Sequence, residues 1–477
     1  METKSEFLRY ASPNEMRTIA REDVGYYHAV IIGAVYNFTE EANIKSPSTY
    51  FQALRRCIEE HPFFCVTVGD KNTDKAYYER VSSINVEDHI SIVEDAAAET
   101  NSLEAVGKSM RPELDRPFVA GIPPWRIVVL PLGPEQCHIA FCFSHTIGDG
   151  IAGVAFHKTF LAGLRETTKT IPSSTITPPA KPLPEPFDTK ERLPISWSFL
   201  LAPFVAEYVP YFLVQLFGLR VSAHHVNEGT WTAAPIFFNP EAHNKLKIRQ
   251  IGAAQVNKVI QLARSHNAKL TGVMHQLIAR ALSKAVKDDN VTNFVSQTAV
   301  NMRRSIGMSN DVASNTVSGG YTIHPRSAAT GPLTEQEWAS AAEATKEFAM
   351  TSTKLEDNAI GLLRYAPSIR KWTLGKIGKK RDSSYEFSNV GVFDGSPADE
   401  NENENQNQVK VTKLTFAQPG HVGGCPISFN VASVKGGDLV YTVTWQPGAL
   451  GLGDDAAEEK IVEEICDDVQ RGFNEMA

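Results

Sequence analysis

Cysteine is scarce in this chain and carries no pattern. Six residues (Cys57, Cys65, Cys137, Cys142, Cys425 and Cys466) are spread over 477, with no Cys-x-x-Cys pair. The expectation is buried, reduced thiols, which suits the cytosol. Metal chemistry has no other foothold: no His-Glu-x-x-His occurs, and the adjacent His224 and His225 would point apart. Nucleotide cradles are missing as well, since no Gly-x-Gly-x-x-Gly follows a strand and no P-loop is present. A Gly-x-Ser-x-Gly elbow is absent, so no serine nucleophile of that kind is sought. A net charge of −8 with no basic run argues against nucleic acid as a partner. The charged start Met1-Glu-Thr-Lys4 lacks an early apolar run, so no secretory signal is expected.

Long apolar runs are equally rare. Ile195 to Leu219 alone has the length of a membrane span, with Glu207 its single charge. Pro203 and Pro210 interrupt it, and it lies mid-chain without a second span. The first expectation is a buried or channel-lining helical pair. Peripheral membrane contact through 195–219, on endoplasmic reticulum or lipid droplets, is the second reading, and a span the third.

What is present describes a globular enzyme-sized chain. Apolar residues make up 42% and charged residues 21%, and the length calls for two domains. His28 to Phe38 is apolar and β-branched and reads as a strand. Ser46-Pro47 opens a helix with Ser46 as cap, and Tyr50, Phe51, Leu54 and Ile58 give it one buried face. Pro62 stops it, and Phe63 to Val68 resumes as strand. Trp125 to Leu132 and Cys137 to Ser144 read as strands joined through Gly133-Pro134-Glu135. A buried helix follows from Gly150 to about Leu164. Prolines 172, 178, 179, 182, 184 and 186 make the next stretch an extended linker.

The second half is expected to open with a strand over Trp231 to Phe238 and a helix from Pro240. Helices follow over Val256 to Ala263 and from Leu270, the latter capped by Thr271. Phe294 to Met302 reads as strand, Glu335 to Thr351 and Gly361 to Leu374 as helices. Strands over Tyr385 to Val390, Val409 to Phe416, Ile427 to Val434 and Leu439 to Trp445 precede a closing helix over Asp455 to Phe473. Asp399 to Gln408 is low-complexity and reads as a solvated loop. This order predicts an α/β fold of mixed sheets, divided into an N-terminal half (1–170), a Pro-rich crossover with the apolar segment (171–225) and a C-terminal half (226–477).

Chemistry concentrates at Phe141-Cys-Phe-Ser-His145-Thr-Ile-Gly-Asp149-Gly150. The layout is strand, tight loop, helix, with an imidazole at the mouth of the loop, where it can take and return a proton near neutral pH. The bare pattern is weak, because a core histidine whose neighbouring Asp fixes its tautomer would look the same. Its surroundings add weight. The segment resembles the His-x-x-x-Asp-Gly motif of the acyltransferase superfamily that includes chloramphenicol acetyltransferase, plant acyl-CoA acyltransferases and peptide-synthetase condensation domains. Leu8-Arg-Tyr-Ala-Ser-Pro13, Tyr26-Tyr-His-Ala-Val30 and Glu386-Phe-Ser-Asn-Val-Gly391 resemble the start and the late Ser-Asn-x-Gly strand of the fungal alcohol O-acetyltransferases within it.

That resemblance implies two chloramphenicol-acetyltransferase-like sandwich domains with the active site in a tunnel between them. It implies no bound cofactor, acetyl-CoA as co-substrate, an alcohol acceptor, and a monomeric cytoplasmic enzyme. His145 would be the general base for direct attack. Asp149 would be structural, pointing away from substrate and pairing with an arginine of the other half. Val300-Asn-Met-Arg303 resembles the plant members' Val-Asn-Leu-Arg and nominates Arg303. Gly148 and Gly150 would give the loop backbone freedom and let the pantetheine arm approach. The oxyanion candidates are Ser388 and Asn389, with Thr298 a weaker third. His421, in Gln418-Pro-Gly-His-Val-Gly-Gly424, is expected as a turn histidine. Ser144 departs from the paired histidines of condensation domains, which weighs against a carrier-protein donor. A condensation-like enzyme with such a donor or an amine acceptor stays open, as does a non-catalytic binding member of the fold.

Overall fold

The computed structural model describes residues 5–38, 42–166, 172–201, 226–396 and 409–476. Its first large sheet is built around Gln136–Ser144, which is buried on both faces and therefore reads as an almost unbroken apolar run. Ala29–Phe38 and Trp125–Gly133 flank it antiparallel, and Ile90–Ile92 adds a short parallel edge. Helices Phe51–Glu60 and Gly150–Leu164 cover one face. Their approach depends on small residues and flat rings. Phe141 stacks on Phe156 with centroids 3.7 Å apart, and a Cβ on Gly163 would meet the Ala53 backbone at 2.6 Å. The other face packs on helix Ser102–Met110 and on Ile248 and Val440 of the second half.

The second sheet has six strands in the order Lys245–Ile251, Leu439–Trp445, Ile427–Val434, Tyr385–Phe393, Asn293–Asn301 and Val317–Pro325. Its two central pairings are parallel and the others antiparallel. One face is apolar (Phe294, Tyr385, Phe387, Phe429) and is covered by helices Ala253–Ser265, Leu270–Ala285, Glu335–Thr351 and Asp455–Met476. The alternate residues Gln297, Glu386 and Ser388 turn the other way, toward the first half. Two mixed α/β halves were expected. The division at 226 needs one amendment: Val409–Ala417, from deep in the second half, pairs with Ala29–Phe38 and forms the edge of the first sheet. The halves are therefore joined by a shared sheet as well as by the crossover.

Several local expectations shift for identifiable reasons. Residues 231–238 join no sheet beyond a bridge at Thr230, although Trp231, Ala234 and Ile236 make backbone hydrogen bonds to Asn293, to Ala449, and to Lys379 and Gly378 in turn, and no helix follows Pro240. There Asp115 takes both the backbone and side-chain amides of Asn244, and the chain enters strand Lys245–Ile251. Ser46 bonds Ser48 rather than capping, and Pro47–Tyr50 is a 3-10 turn. Pro62–Cys65 forms a second such turn, which shortens the next strand to Val66–Gly69. Lys269, not Thr271, sits at the helix cap, and the Thr271 hydroxyl faces Asn389. Pro367 splits the helix expected over 361–374 into a 3-10 segment and the short helix Ile369–Leu374. Strand Val317–Pro325 was not foreseen, because Gly319-Gly320 and flanking polar residues hide its alternation. All six cysteines are free and buried. Of 195–219, only 195–201 is described, and 399–408 lies outside the described residues. No helix among the described residues is long and apolar enough to cross a membrane.

Of the ion pairs that cross from half to half among the described residues, one is buried on both sides. The Arg303 guanidinium donates two parallel hydrogen bonds to the Asp149 carboxylate, at 2.8 and 2.9 Å, and both side chains are buried. The remaining lone pairs of the carboxylate and protons of the guanidinium are used. Asp149 accepts from the backbone amides of Ala152 (3.1 Å) and Thr316 (2.8 Å), and Arg303 donates to the carbonyls of Ser314 and Val312. Asp149 thereby caps helix Gly150–Leu164 and ties it to the second half. Removing one partner strands a buried charge, so Asp149→Ala and Arg303→Ala should each cost about 3–5 kcal/mol in denaturant unfolding. The double variant should cost clearly less than the sum. Arg303→Lys should not restore the wild-type value, because an ammonium cannot form the planar fork.

A second prediction comes from buried histidines outside this loop. His61, His89, His138, His157 and His324 bond neutral partners, and burial holds each at about 3 to 4. Their folded values lie below the unfolded value of about 6.5, so the unfolded chain binds more protons on acidification. Stability should hold above pH ~6.5 and fall steeply between there and pH ~4. Urea melts at stepped pH would show this, and a flat profile across the window would contradict it.

Candidate active site

His145 stands directly after the central strand, in a turn braced from both halves. The Ser144 hydroxyl bonds Glu22 of helix Pro13–Asp23 and also the Thr146 hydroxyl. Tyr78 donates to the Thr146 carbonyl at 2.7 Å. From the second half, the Ser314 carbonyl accepts from the Asp149 amide, and Asn315 reaches the His145 carbonyl. Ser144 is thus a structural part of the turn. Neither Gly148 nor Gly150 has a positive φ, so the expected backbone freedom is not what they supply. They supply room: an added Cβ would lie 2.6 Å from Ala152 at Gly148 and 2.7 Å from Val390 at Gly150.

The His145 ring is half-buried. Its Nδ1 is enclosed and meets no partner at hydrogen-bond geometry, which leaves Nε2 as the nitrogen available to a ligand. Burial pushes its pKa down to about 4, the Arg17 guanidinium pushes the same way, and Asp149 opposes them. At neutral pH the ring is uncharged and can accept a proton. Tyr27 lies beside it (centroids 5.7 Å apart), and His421 lies on the far side of Tyr27 (5.4 Å).

His145 opens into a cavity of about 670 Å³ whose walls come from both halves. Asp149, Gly150 and Val30 contribute from the first. Gln297, Asn301, Tyr321, Glu386, Ser388, Asn389 and Gln418 contribute from the second or from the strand it lends. Ser388 and Asn389 both reach this wall. The Ser388 hydroxyl donates to Glu386 (3.1 Å) and accepts from Gln418 (3.1 Å). Asn389 uses its carbonyl on the Gly391 amide (2.8 Å) and keeps its amide hydrogens for a long contact to Thr271 and for the cavity. Thr298 is not brought to the site. It is one residue out of phase with Gln297 and Ala299, so its hydroxyl lies on the helix-covered face, 3.2 Å from His275. As a candidate oxyanion donor it is ruled out by strand alternation.

His421 is more than a turn residue: it lines the cavity, with Nε2 3.7 Å from the Glu386 carboxylate. Burial raises the pKa of Glu386 and lowers that of His421, so both are driven toward their neutral forms. The residues missed in the sequence are Arg17 and Arg21, at i and i+4 on helix Pro13–Asp23, together with Tyr27 and Gln418. A signal for that helix was present. Ser12-Pro13-Asn14-Glu15 forms a full capping box, and the two arginines follow on one face. Among the described residues no cluster of His, Cys, Asp or Glu has the arrangement of a metal site.

The chain was compared with known proteins. A probable alcohol acetyltransferase of Fusarium pseudograminearum, FCK4, is 22% identical over 455 residues, covering 89% of this chain and 86% of that protein. The probable alcohol acetyltransferase crmB of Aspergillus fumigatus is 20% identical, covering 92% and 95%. Among solved structures, the TRI3 trichothecene 15-O-acetyltransferase of Fusarium sporotrichioides superposes with a TM-score of 0.65 at 12% identity, over 98% of each chain. The starter condensation domain of rhizomide synthetase RzmA superposes with 0.57 at 12% identity, over 98% of this chain and 94% of the other. Both likenesses establish the fold of chloramphenicol acetyltransferase-like enzymes for the whole chain. The alcohol acetyltransferase family model matches residues 117–461, well over half of the sequence, and the protein belongs to that family of acyltransferases.

Proposed function

We propose that the protein transfers an acetyl group from acetyl-CoA to an alcohol hydroxyl, with His145 as general base. The observation that carries this reading is a neutral, half-buried imidazole at the wall of a cavity between two halves, in a chain of this family. In the proposed step the acceptor O–H gives its proton to Nε2 of His145 as its oxygen attacks the thioester carbonyl. The tetrahedral intermediate then expels the CoA thiolate, which takes the proton back from the imidazolium, so ester and free thiol leave and the enzyme is unchanged. No acyl-enzyme is required. Asn389 is the better oxyanion donor of the two candidates, because the Ser388 hydrogen is already engaged by Glu386. Asp149 takes no part in proton transfer, since both its oxygens are committed to Arg303 and backbone amides. The rhizomide starter condensation domain that shares this fold was solved with C8-CoA, which supports an acyl-CoA donor.

The test is release of free thiol from acetyl-CoA with a panel of alcohols. His145→Ala should lose alcohol-dependent release by about two to four orders of magnitude, while its unfolding curve stays close to wild type. Undiminished release from the folded variant would remove His145 from the mechanism. The pH dependence has a defined sign. A base with its pKa near 4 stays deprotonated far below neutrality, so kcat/KM for the acceptor should be level through the range around pH ~6.5 and fall only as pH approaches about 4. Arg17→Gln removes a depressing charge and should move that acid limb to higher pH.

A further inference from the structure

Most arginines in and around the core are met by a carboxylate or by carbonyls. Arg303 is paired with Asp149, Arg280 with Glu337, Arg126 with Glu113 and Arg9 with Glu15. Arg381 bonds no carboxylate, yet its Nε and Nη1 are held by the carbonyls of Ala234, His421, Val422, Gly424 and Cys425, with Nη2 unpartnered. Arg17 and Arg21, part-exposed on the cavity wall, are met less fully. The Arg17 side chain makes one hydrogen bond, to the neutral Asn14 amide oxygen at 3.0 Å, and its buried Nε has no partner. The Arg21 guanidinium makes no hydrogen bond or ion pair among the described residues, although Glu386 and Asp382 act on it across the cavity. Both line the 670 Å³ cavity that holds His145. Lys376, the other cation on that wall, is spoken for by Asp382, the Gly423 carbonyl and the Trp372 ring.

Two guanidiniums on a cavity wall that bond no carboxylate among the described residues leave a place for a ligand that supplies the charge. We infer that Arg17 and Arg21 form a subsite for a carboxylate on the acceptor, so that the preferred substrate is a hydroxy acid rather than a neutral alcohol. The acceptor class rests on the acyl-transfer reading above; the anion subsite does not. A singly charged, planar carboxylate suits the guanidinium fork. It also suits a cavity that already holds Asp382, where a polyanion would meet like charge. CoA carries the other available anions. With the thioester at His145, the length of the pantetheine arm carries its phosphates away from the cavity that Arg17 shares with His145.

The experiment uses two matched pairs of acceptors: para-(hydroxymethyl)benzoate with its carboxamide, and ω-hydroxyhexanoate with its carboxamide. Acid and amide have nearly the same shape and differ in charge. Wild type should turn over at least one acid with kcat/KM at least about tenfold above its amide, and Arg17→Gln or Arg21→Gln should bring the ratio toward one. Direct binding of the same acids to His145→Ala, followed by calorimetry, gives a readout independent of turnover and should weaken in His145→Ala/Arg21→Gln. Efficient transfer with equal use of acid and amide would overturn the subsite and leave acyl transfer standing. A raised KM for acetyl-CoA in the arginine variants, alike for acid and amide, would overturn it in favour of a CoA contact. Binding of the acids that depends on Arg21, without thiol release, would keep the subsite and remove the transfer reading.

Discussion

The bond between Asp149 and Arg303 is the constraint on which the site depends. Burying two opposite charges is not in itself a route to stability, because desolvation of the pair offsets most of their attraction. What the pair supplies is shape. A carboxylate with one oxygen on Ala152 and Arg303, and the other on Thr316 and Arg303, has a single orientation. That orientation fixes the start of helix Gly150–Leu164, and with it the five-residue turn that carries His145. The arginine arrives from the end of strand Asn293–Asn301, in the other half. The imidazole is therefore positioned relative to both walls of the cavity at once, and neither half can move against the other without stranding a charge. The strand Val409–Ala417, lent to the first sheet, enforces the same registration through backbone hydrogen bonds.

On the proposed reading, the protein faces within that frame a conflict between holding a base and keeping it basic. Enclosure excludes water, which a thioester requires, but enclosure also disfavours imidazolium. The other buried histidines settle the conflict by staying neutral and bonding hydroxyls or carbonyls, as His61 does with Thr159 and His157 with Tyr36 and Ile32. Like His89 and His138, His145 has one enclosed nitrogen without a partner; it differs in facing the cavity. A low pKa keeps it unprotonated and ready, at the expense of intrinsic basicity.

Much of this was legible in the sequence, for reasons that can be assigned to particular residues. Gln136–Ser144 and Gly150–Leu164 are strongly patterned, and the latter has its boundaries where an Asp cap and a Gly start place them. The Asp149–Arg303 contact was foreseen through a resemblance at Val300-Asn-Met-Arg303, not through spacing; a contact across 154 residues has no local signal. The errors came where side-chain partners outrank propensity. Asp115 claims Asn244 and abolishes a helix, and Thr298 falls on the wrong face of its strand by one residue. Helix Pro13–Asp23 was passed over although its capping box was visible, and the cavity's arginines went with it.

Those arginines bear on the weak-base problem in a way that ties the two halves of the chemistry together. Arg17 is, after burial, the largest influence holding the His145 pKa down, and Arg21 adds to it. A cation in a low-dielectric cavity acts on its neighbours until a counter-charge arrives. A carboxylate seated on the two guanidiniums would cancel that influence and let the imidazole regain basicity toward its ordinary range, where general-base catalysis near neutral pH is most efficient. The empty site would then hold a weak base, and the acceptor itself would strengthen it on binding. Charge at the far end of the substrate would in this way be converted into basicity at its hydroxyl, and a neutral alcohol of the same shape would occupy the cavity without doing so. An acidic protein with a net charge of −8 has little reason to line the cavity of His145 with two arginines that bond no carboxylate among the described residues. Coupling acceptor recognition to base strength supplies one.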